Sequence, residues 1–97
     1  KIEEILPSEF KLYQNYPNPF NPSTTIRFAV PAGNQNPNVT LKIFDILGNE
    51  ITTLMNEEKS PGVYELEFNA DGLASGIYIY RMQSASFNAS KKFILMK

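Results

Sequence analysis

The chain has 97 residues, enough for one domain with a single hydrophobic core. It is 42% hydrophobic and 20% charged, a balance that supports packing and excludes general disorder. It contains neither Cys nor His, which excludes disulfides, thiolate nucleophiles, Cys-ligated zinc and any catalytic triad or dyad built on His or Cys.

The net charge of −1 hides an asymmetry. Residues 72–97 hold Arg81, Lys91, Lys92 and Lys97 and no acid, whereas residues 1–71 hold five bases and ten acids. A plain reading is edge-strand lysines that discourage aggregation; a sharper one is a basic functional end on an acidic body. No window approaches the roughly 18 apolar residues of a membrane span. The chain opens Lys1-Ile2-Glu3-Glu4 without Met, as a mature or excised piece of a longer protein would.

In chain order, residues 10–16 predict a weakly patterned first strand. Pro17-Asn18-Pro19-Phe20-Asn21-Pro22 is a turn cluster with three fixed φ angles. Residues 25–30 place Ile26, Phe28 and Val30 on one face, and residues 39–43 do the same with Val39, Leu41 and Ile43. A polar loop, 31–38, separates them. Gly48-Asn49 is a hairpin signal. Residues 51–55 have apolar side chains at i, i+3 and i+4, which suits a helical turn, but two Thr and the preceding hairpin favour a short strand. After the turn Ser60-Pro61-Gly62, residues 64–68 alternate apolar and acidic. Asp71-Gly72 is a further turn, and residues 77–82 and 87–96 complete seven strands. No helix is long enough for a βαβ crossover, so the expected fold is all-β, an antiparallel β-sandwich.

Leu73-Ala74-Ser75-Gly76-Ile77-Tyr78 has the spacing of a tyrosine corner, in which Tyr78 returns its hydroxyl to upstream backbone and pins a Greek-key crossover.

Candidate chemistry is sparse. Glu65 and Glu67 share a strand face about 7 Å apart, near a glycosidase separation, but they alternate with core positions and should face water. Glu57-Glu58 belong to a solvated loop. Asn69 and Asp71 could contribute to a loop calcium site, although the EF-hand pattern is absent. No phosphate-cradling glycine motif occurs, and the basic residues are too few for a nucleic-acid footprint. Tyr13, Tyr16, Phe20, Tyr78 and Tyr80 could stack on carbohydrate, but core and corner roles are the expectation for most of them. Ser90 and Lys91 are strand neighbours and point to opposite faces, so they cannot act together. The expectation is therefore no enzyme, no cofactor, no metal, no nucleic acid and no small-molecule substrate.

The C-terminal block is different. Phe93-Ile94-Leu95-Met96 puts apolar side chains on both faces of a strand, and only one face can meet the core. Either neighbouring loops shield the other face, or the strand serves a partner by edge pairing or pocket insertion.

The order of five blocks resembles the type A C-terminal sorting domain of the type IX secretion system. The blocks are Tyr16-Pro17-Asn18-Pro19-Phe20-Asn21-Pro22-Ser23-Thr24-Thr25-Ile26; Leu41-Lys42-Ile43-Phe44-Asp45-Ile46-Leu47-Gly48; Pro61-Gly62-Val63-Tyr64; Leu73 to Arg81; and Lys91 to Lys97. Ig-like domains of flagellar hook-capping proteins share the opening motif and are the nearest confusable family. The resemblance implies a seven-stranded antiparallel Ig-like β-sandwich over residues 9–97, with 1–8 as linker remnant. It implies a non-enzymatic address for secretion or cell-surface display, reached through the periplasm of a Gram-negative bacterium. It implies as partners the type IX translocon and sortase components and N-terminal cargo domains of the same chain. A surface sortase can remove such domains. The implied recognition residues are Lys91, Lys92, Phe93, Ile94, Leu95, Met96 and Lys97; Asn18, Pro19, Gly76 and Tyr78 are the structural motif. An uncovered last strand could also pair with a second copy. The alternative is an accessory Ig-like or carbohydrate-binding module of a surface hydrolase, with Tyr13, Tyr16 and Tyr80 exposed in a row. Phe68 stands where many family members carry Trp, so cavity shape there should differ.

Overall fold

The computed structural model describes residues 6–33 and 36–97. Most of the linker assigned to residues 1–8, and two residues of the 31–38 loop, lie outside the described residues. Seven strands form: β1 (Lys11–Leu12), β2 (Ser23–Val30), β3 (Asn38–Asp45), β4 (Glu50–Glu58), β5 (Gly62–Asn69), β6 (Gly76–Ser84) and β7 (Phe87–Leu95). They build two antiparallel sheets, β1-β2-β5 and β4-β3-β6-β7, in an Ig-like sandwich. The chain crosses between sheets after β2, β4 and β5, which gives the Greek-key connectivity.

Period-2 patterning explains the core. Ile26, Phe28 and Val30 of β2 face Val39, Leu41 and Ile43 of β3, and all six are essentially inaccessible to solvent. Tyr78, Tyr80, Met82, Phe93 and Leu95 complete the inner face from the β6–β7 hairpin. The aromatic centre is Phe93. Its ring lies 5.0 Å from Phe20, 5.4 Å from Tyr78, 5.9 Å from Phe68 and 6.1 Å from Tyr80.

The strand over 51–55 is resolved by two irregularities. Leu41 pairs with Met55, Lys42 with Thr53, Ile43 with Thr52 and Phe44 with Glu50, so Ile51 and Leu54 have no opposite residue. These bulges turn the helix-like i, i+3, i+4 pattern toward the core within a nine-residue strand. The first strand is shorter than the 10–16 expected. The strand ends at Leu12, the Tyr13 N–H still bonds Arg27, Asn15 then turns inward, and a single bridge joins Tyr16 to Thr25.

The turn signals are also borne out. Gly48 sits at φ +91 in the β3–β4 connection, where a side chain would be strained. The β6–β7 connection lacks such a signal, yet Ala85 adopts φ +52 there. In the proline cluster the Tyr16-Pro17, Asn18-Pro19 and Asn21-Pro22 bonds are cis. A cleft of about 280 Å³ lies beside Phe68, between Ile51 and Leu73.

Candidate functional site

The tyrosine corner is present. The Tyr78 hydroxyl donates to the Ala74 carbonyl at 2.6 Å, and the ring is nine-tenths buried against Phe93. Gly76 opens β6 at φ +156 with open space where a Cβ would stand, so the backbone angle, and not a close neighbour, calls for Gly. Together these fix where β6 starts, and therefore where β7 ends: Gly76 pairs with Leu95, Ile77 with Ile94 and Tyr78 with Phe93.

That register divides the terminal block between two faces. Phe93 and Leu95 are buried, with 0% and 1% of their surface exposed, and build the core of the folded domain. Ile94 and Met96 are exposed on the outer face, as is Lys92. Lys91 faces the other way and is half-buried. Lys97 donates its backbone N–H to Ser75 Oγ at 3.0 Å and its ammonium to the Asp71 carbonyl.

The outer edge of β7 is not open at its end. The Gln14 side-chain amide donates to the Lys92 carbonyl (2.7 Å), Asn18 Oδ1 accepts from the Ile94 N–H (2.8 Å), and Phe20 exchanges two backbone bonds of 3.0 Å with Ile94 and Met96. Phe20 then inserts its ring beside Phe93. The proline-rich opening thus clamps the last strand across most of the chain length. Asn18 acts through its carboxamide, while exposed Pro19 shapes the turn. Edge pairing is therefore met within the chain at residues 92–96, where the sequence suggested an uncovered edge.

Tertiary structure adds residues the pattern did not single out. The pairings Asp45 with Tyr78 and Ile77 with Ile94 place the β3–β4 turn, the start of β6 and the end of β7 at one end of the four-stranded sheet. Ile46, Leu47, Ile77, Ile94 and Met96 are all exposed there, Leu47 by 84% and Ile46 by 66%. A one-sided strand exposes polar residues outward; here five large apolar side chains share one end. The turn is held by Asp45, whose Oδ1 accepts from the Leu47 and Asn49 N–H groups, both at 2.9 Å. Oδ2 accepts from the Asn49 side chain at 3.1 Å. Bonds from the Asn49 backbone and carboxamide hold the Asp45 carboxyl below its ordinary value. Both signs of charge lie near: Lys92 pairs with Ile79 one step along the sheet, Arg81 sits farther along β6 with its guanidinium 4.7 Å above the Phe44 ring, and Asp45 and Glu50 flank the β3–β4 turn. The signal for Ile77 was available, since Ile77-Tyr78-Ile79-Tyr80 is two-faced just as the last strand is. Ile46 and Leu47 fall in a turn, which no periodicity reads.

The other candidates separate. Glu65 and Glu67 are exposed, and Glu65 pairs with Arg27 at 2.6 Å. Asn69 Oδ1 accepts from the Asp71 N–H, an ordinary turn bond. Among the described residues no acidic cluster has metal-binding geometry. Tyr80 is fully buried and its hydroxyl is pushed up to about 12 by desolvation, so it cannot belong to an exposed aromatic row. Phe20 and Tyr78 are core, as expected, but Tyr16 is 81% exposed.

The architecture defines an Ig-like β-sandwich that displays a clamped, two-faced terminal strand. The family model of the secretion system C-terminal sorting domain matches residues 14–96, and the chain belongs to that family. It is a C-terminal signal for type IX secretion, recognised by that machinery and directing export to the cell surface or beyond. Dimeric latent PorU from Porphyromonas gingivalis is similar to this chain, with a TM-score of 0.68 and 20% identity. The match covers 97% of this chain and 10% of that one, so the chain spans about a tenth of that protein's length, and the likeness is one of fold. No curated protein matches the chain.

Proposed function

We propose that the type IX machinery reads the apolar end of the four-stranded sheet, and not the terminal block as a linear tag. The observation that carries this reading is that exposed Ile46, Leu47, Ile77, Ile94 and Met96 share one end of the sheet, while Phe93 and Leu95 are buried in the core. Burial of such side chains against a partner supplies affinity, and Lys92 and Lys97 supply orientation. Because Gln14, Asn18 and Phe20 clamp the last strand, the surface exists only when both ends of the domain are folded together. In this reading the domain catalyses nothing. Cargo domains precede it in the same chain, the route crosses the periplasm of a Gram-negative bacterium, and a surface sortase cleaves in the linker ahead of β1. Pairing of two copies through β7 would be confined to its edge before Lys92, since the clamp occupies the rest.

Deleting residues 91–97 would be a poor test, because it removes Phe93 and Leu95 from the core. The informative variant is Ile94→Ser combined with Met96→Ser, in a reporter fused ahead of residues 1–97 and expressed in a host with this secretion system. Surface delivery should fall at least about tenfold, the change expected when ~1.4 kcal/mol of partner binding is lost, while the unfolding midpoint of the domain stays close to the parent. Unchanged delivery would overturn the proposal.

A further inference from the structure

The outer face of the three-stranded sheet carries a groove that the sorting surface does not use. Tyr13, Gln14, Tyr16, Thr25, Arg27 and Glu65 line about 400 Å³. Tyr16 belongs neither to the core nor to the side chains packed against it, so the fold gives no reason for a phenol ring standing in water. The backbone beneath it is nevertheless fixed. Tyr16 exchanges two hydrogen bonds with Thr25, at 3.0 and 2.9 Å, and the Tyr13 N–H donates to Arg27 at 3.0 Å. Between them, the Asn15 N–H donates to the buried Tyr80 hydroxyl (2.8 Å), which donates to the Tyr13 carbonyl (2.7 Å). The inward Asn15 side chain donates to Thr24 Oγ1 at 3.0 Å.

The groove wall is equally ordered. Arg27 and Glu65 are cross-strand partners, and Arg27 Nε and Nη2 both donate to Glu65 Oε2, at 3.0 and 2.6 Å. Among the described residues, Arg27 Nη1 and Glu65 Oε1 have no protein partner. The free donor and the free acceptor therefore flank the ion pair on opposite sides, with the pair's charge cancelled. That arrangement suits hydroxyl groups, which donate and accept at once. Lys11 lies 4.8 Å from the Tyr13 ring centroid and Arg27 5.9 Å, which leaves Tyr16 as the open aromatic face.

We propose that this groove binds a neutral glycan, with the CH face of one pyranose ring on Tyr16 and its hydroxyls on Arg27 and Glu65. Its volume lies toward the small end of the roughly 300–1,000 Å³ of ligand sites, which fits one or two sugar rings. A proline-rich peptide, the other ligand of aromatic grooves, needs a row of open rings that a single free Tyr16 does not supply.

The test is an amide-resolved NMR titration of the 97-residue chain with cellohexaose, mannohexaose and maltohexaose at millimolar concentration, and separately with decaproline. At least one saccharide should give saturable shifts at Tyr13, Tyr16, Thr25, Arg27 and Glu65. Tyr16→Ala should weaken binding at least about tenfold. Glu65→Gln should also weaken it, and provides a second probe that leaves the aromatic platform intact. The inference is overturned if none of the three saccharides shifts these amides, if Tyr16→Ala and Glu65→Gln bind as the parent does, or if decaproline alone occupies the groove.

Discussion

Replacing Phe93 and Ile94 separately by Ala tests the register of the last strand, on which the proposed sorting surface depends. Phe93 is fully buried and contacts four aromatic rings, so its truncation loses transfer energy and leaves a cavity in a rigid aromatic cluster. Phe→Ala at such sites costs about 3–5 kcal/mol, a large part of the roughly 5–15 kcal/mol that holds a small domain folded. Ile94 keeps 38% of its surface exposed on an open face, so no cavity forms. Its truncation should cost about 1 kcal/mol or less. Urea unfolding followed by tyrosine fluorescence should show a large drop in midpoint for Phe93→Ala and a small one for Ile94→Ala, with unchanged slopes. A one-residue slip of β7 would exchange the two faces. Equal costs, or a larger cost for Ile94→Ala, would refute the inward and outward assignment and the sorting surface drawn from it.

Two further outcomes follow from the corner and the turn. Tyr78→Phe removes the 2.6 Å bond to Ala74 without changing ring packing, so it should cost about 1–2 kcal/mol in chemical unfolding; no measurable loss would mean the hydroxyl does not pin the crossover. The Asp45 carboxyl, lowered chiefly by the Asn49 backbone bond and then by its side chain, favours folding when ionised. Its contribution is complete above the unfolded value near 3.8 and is lost as pH falls through the lower folded value. Asp45→Asn should flatten the acid limb of the stability profile in that window, and an unaltered limb would remove Asp45 as its source.

Much of the fold was legible because it rests on local regularity. Alternation named Ile26, Phe28, Val30, Val39, Leu41 and Ile43 as one core face, and all are buried. The corner spacing identified the Tyr78 bond, and Gly48 marked its turn. Residues 51–55 form the strand favoured over a helical turn, and the bulges against β3 account for their helix-like spacing. Two elements resisted. The first strand, expected over 10–16, is only Lys11–Leu12. The β6–β7 turn has no glycine, since pairing along both strands outweighs the strain at Ala85.

The amino-acid sequence by itself determined that a small Cys- and His-free chain forms one β-sandwich, and that its basic end carries more apolar side chains than a one-sided strand can bury. The order of its motifs also pointed to a sorting address. Only the tertiary structure decided which of those side chains stay exposed. Register sends Phe93 and Leu95 inward, brings Ile46, Leu47 and Ile77 beside Ile94 and Met96, and lays Gln14, Asn18 and Phe20 along the strand edge. These are contacts between residues distant in the chain. They arise from cross-strand pairing and from closure of one sheet on the other, and periodicity within a single strand has no access to either. The same holds for the groove at Tyr16, where Arg27 and Glu65 meet only because β2 and β5 pair.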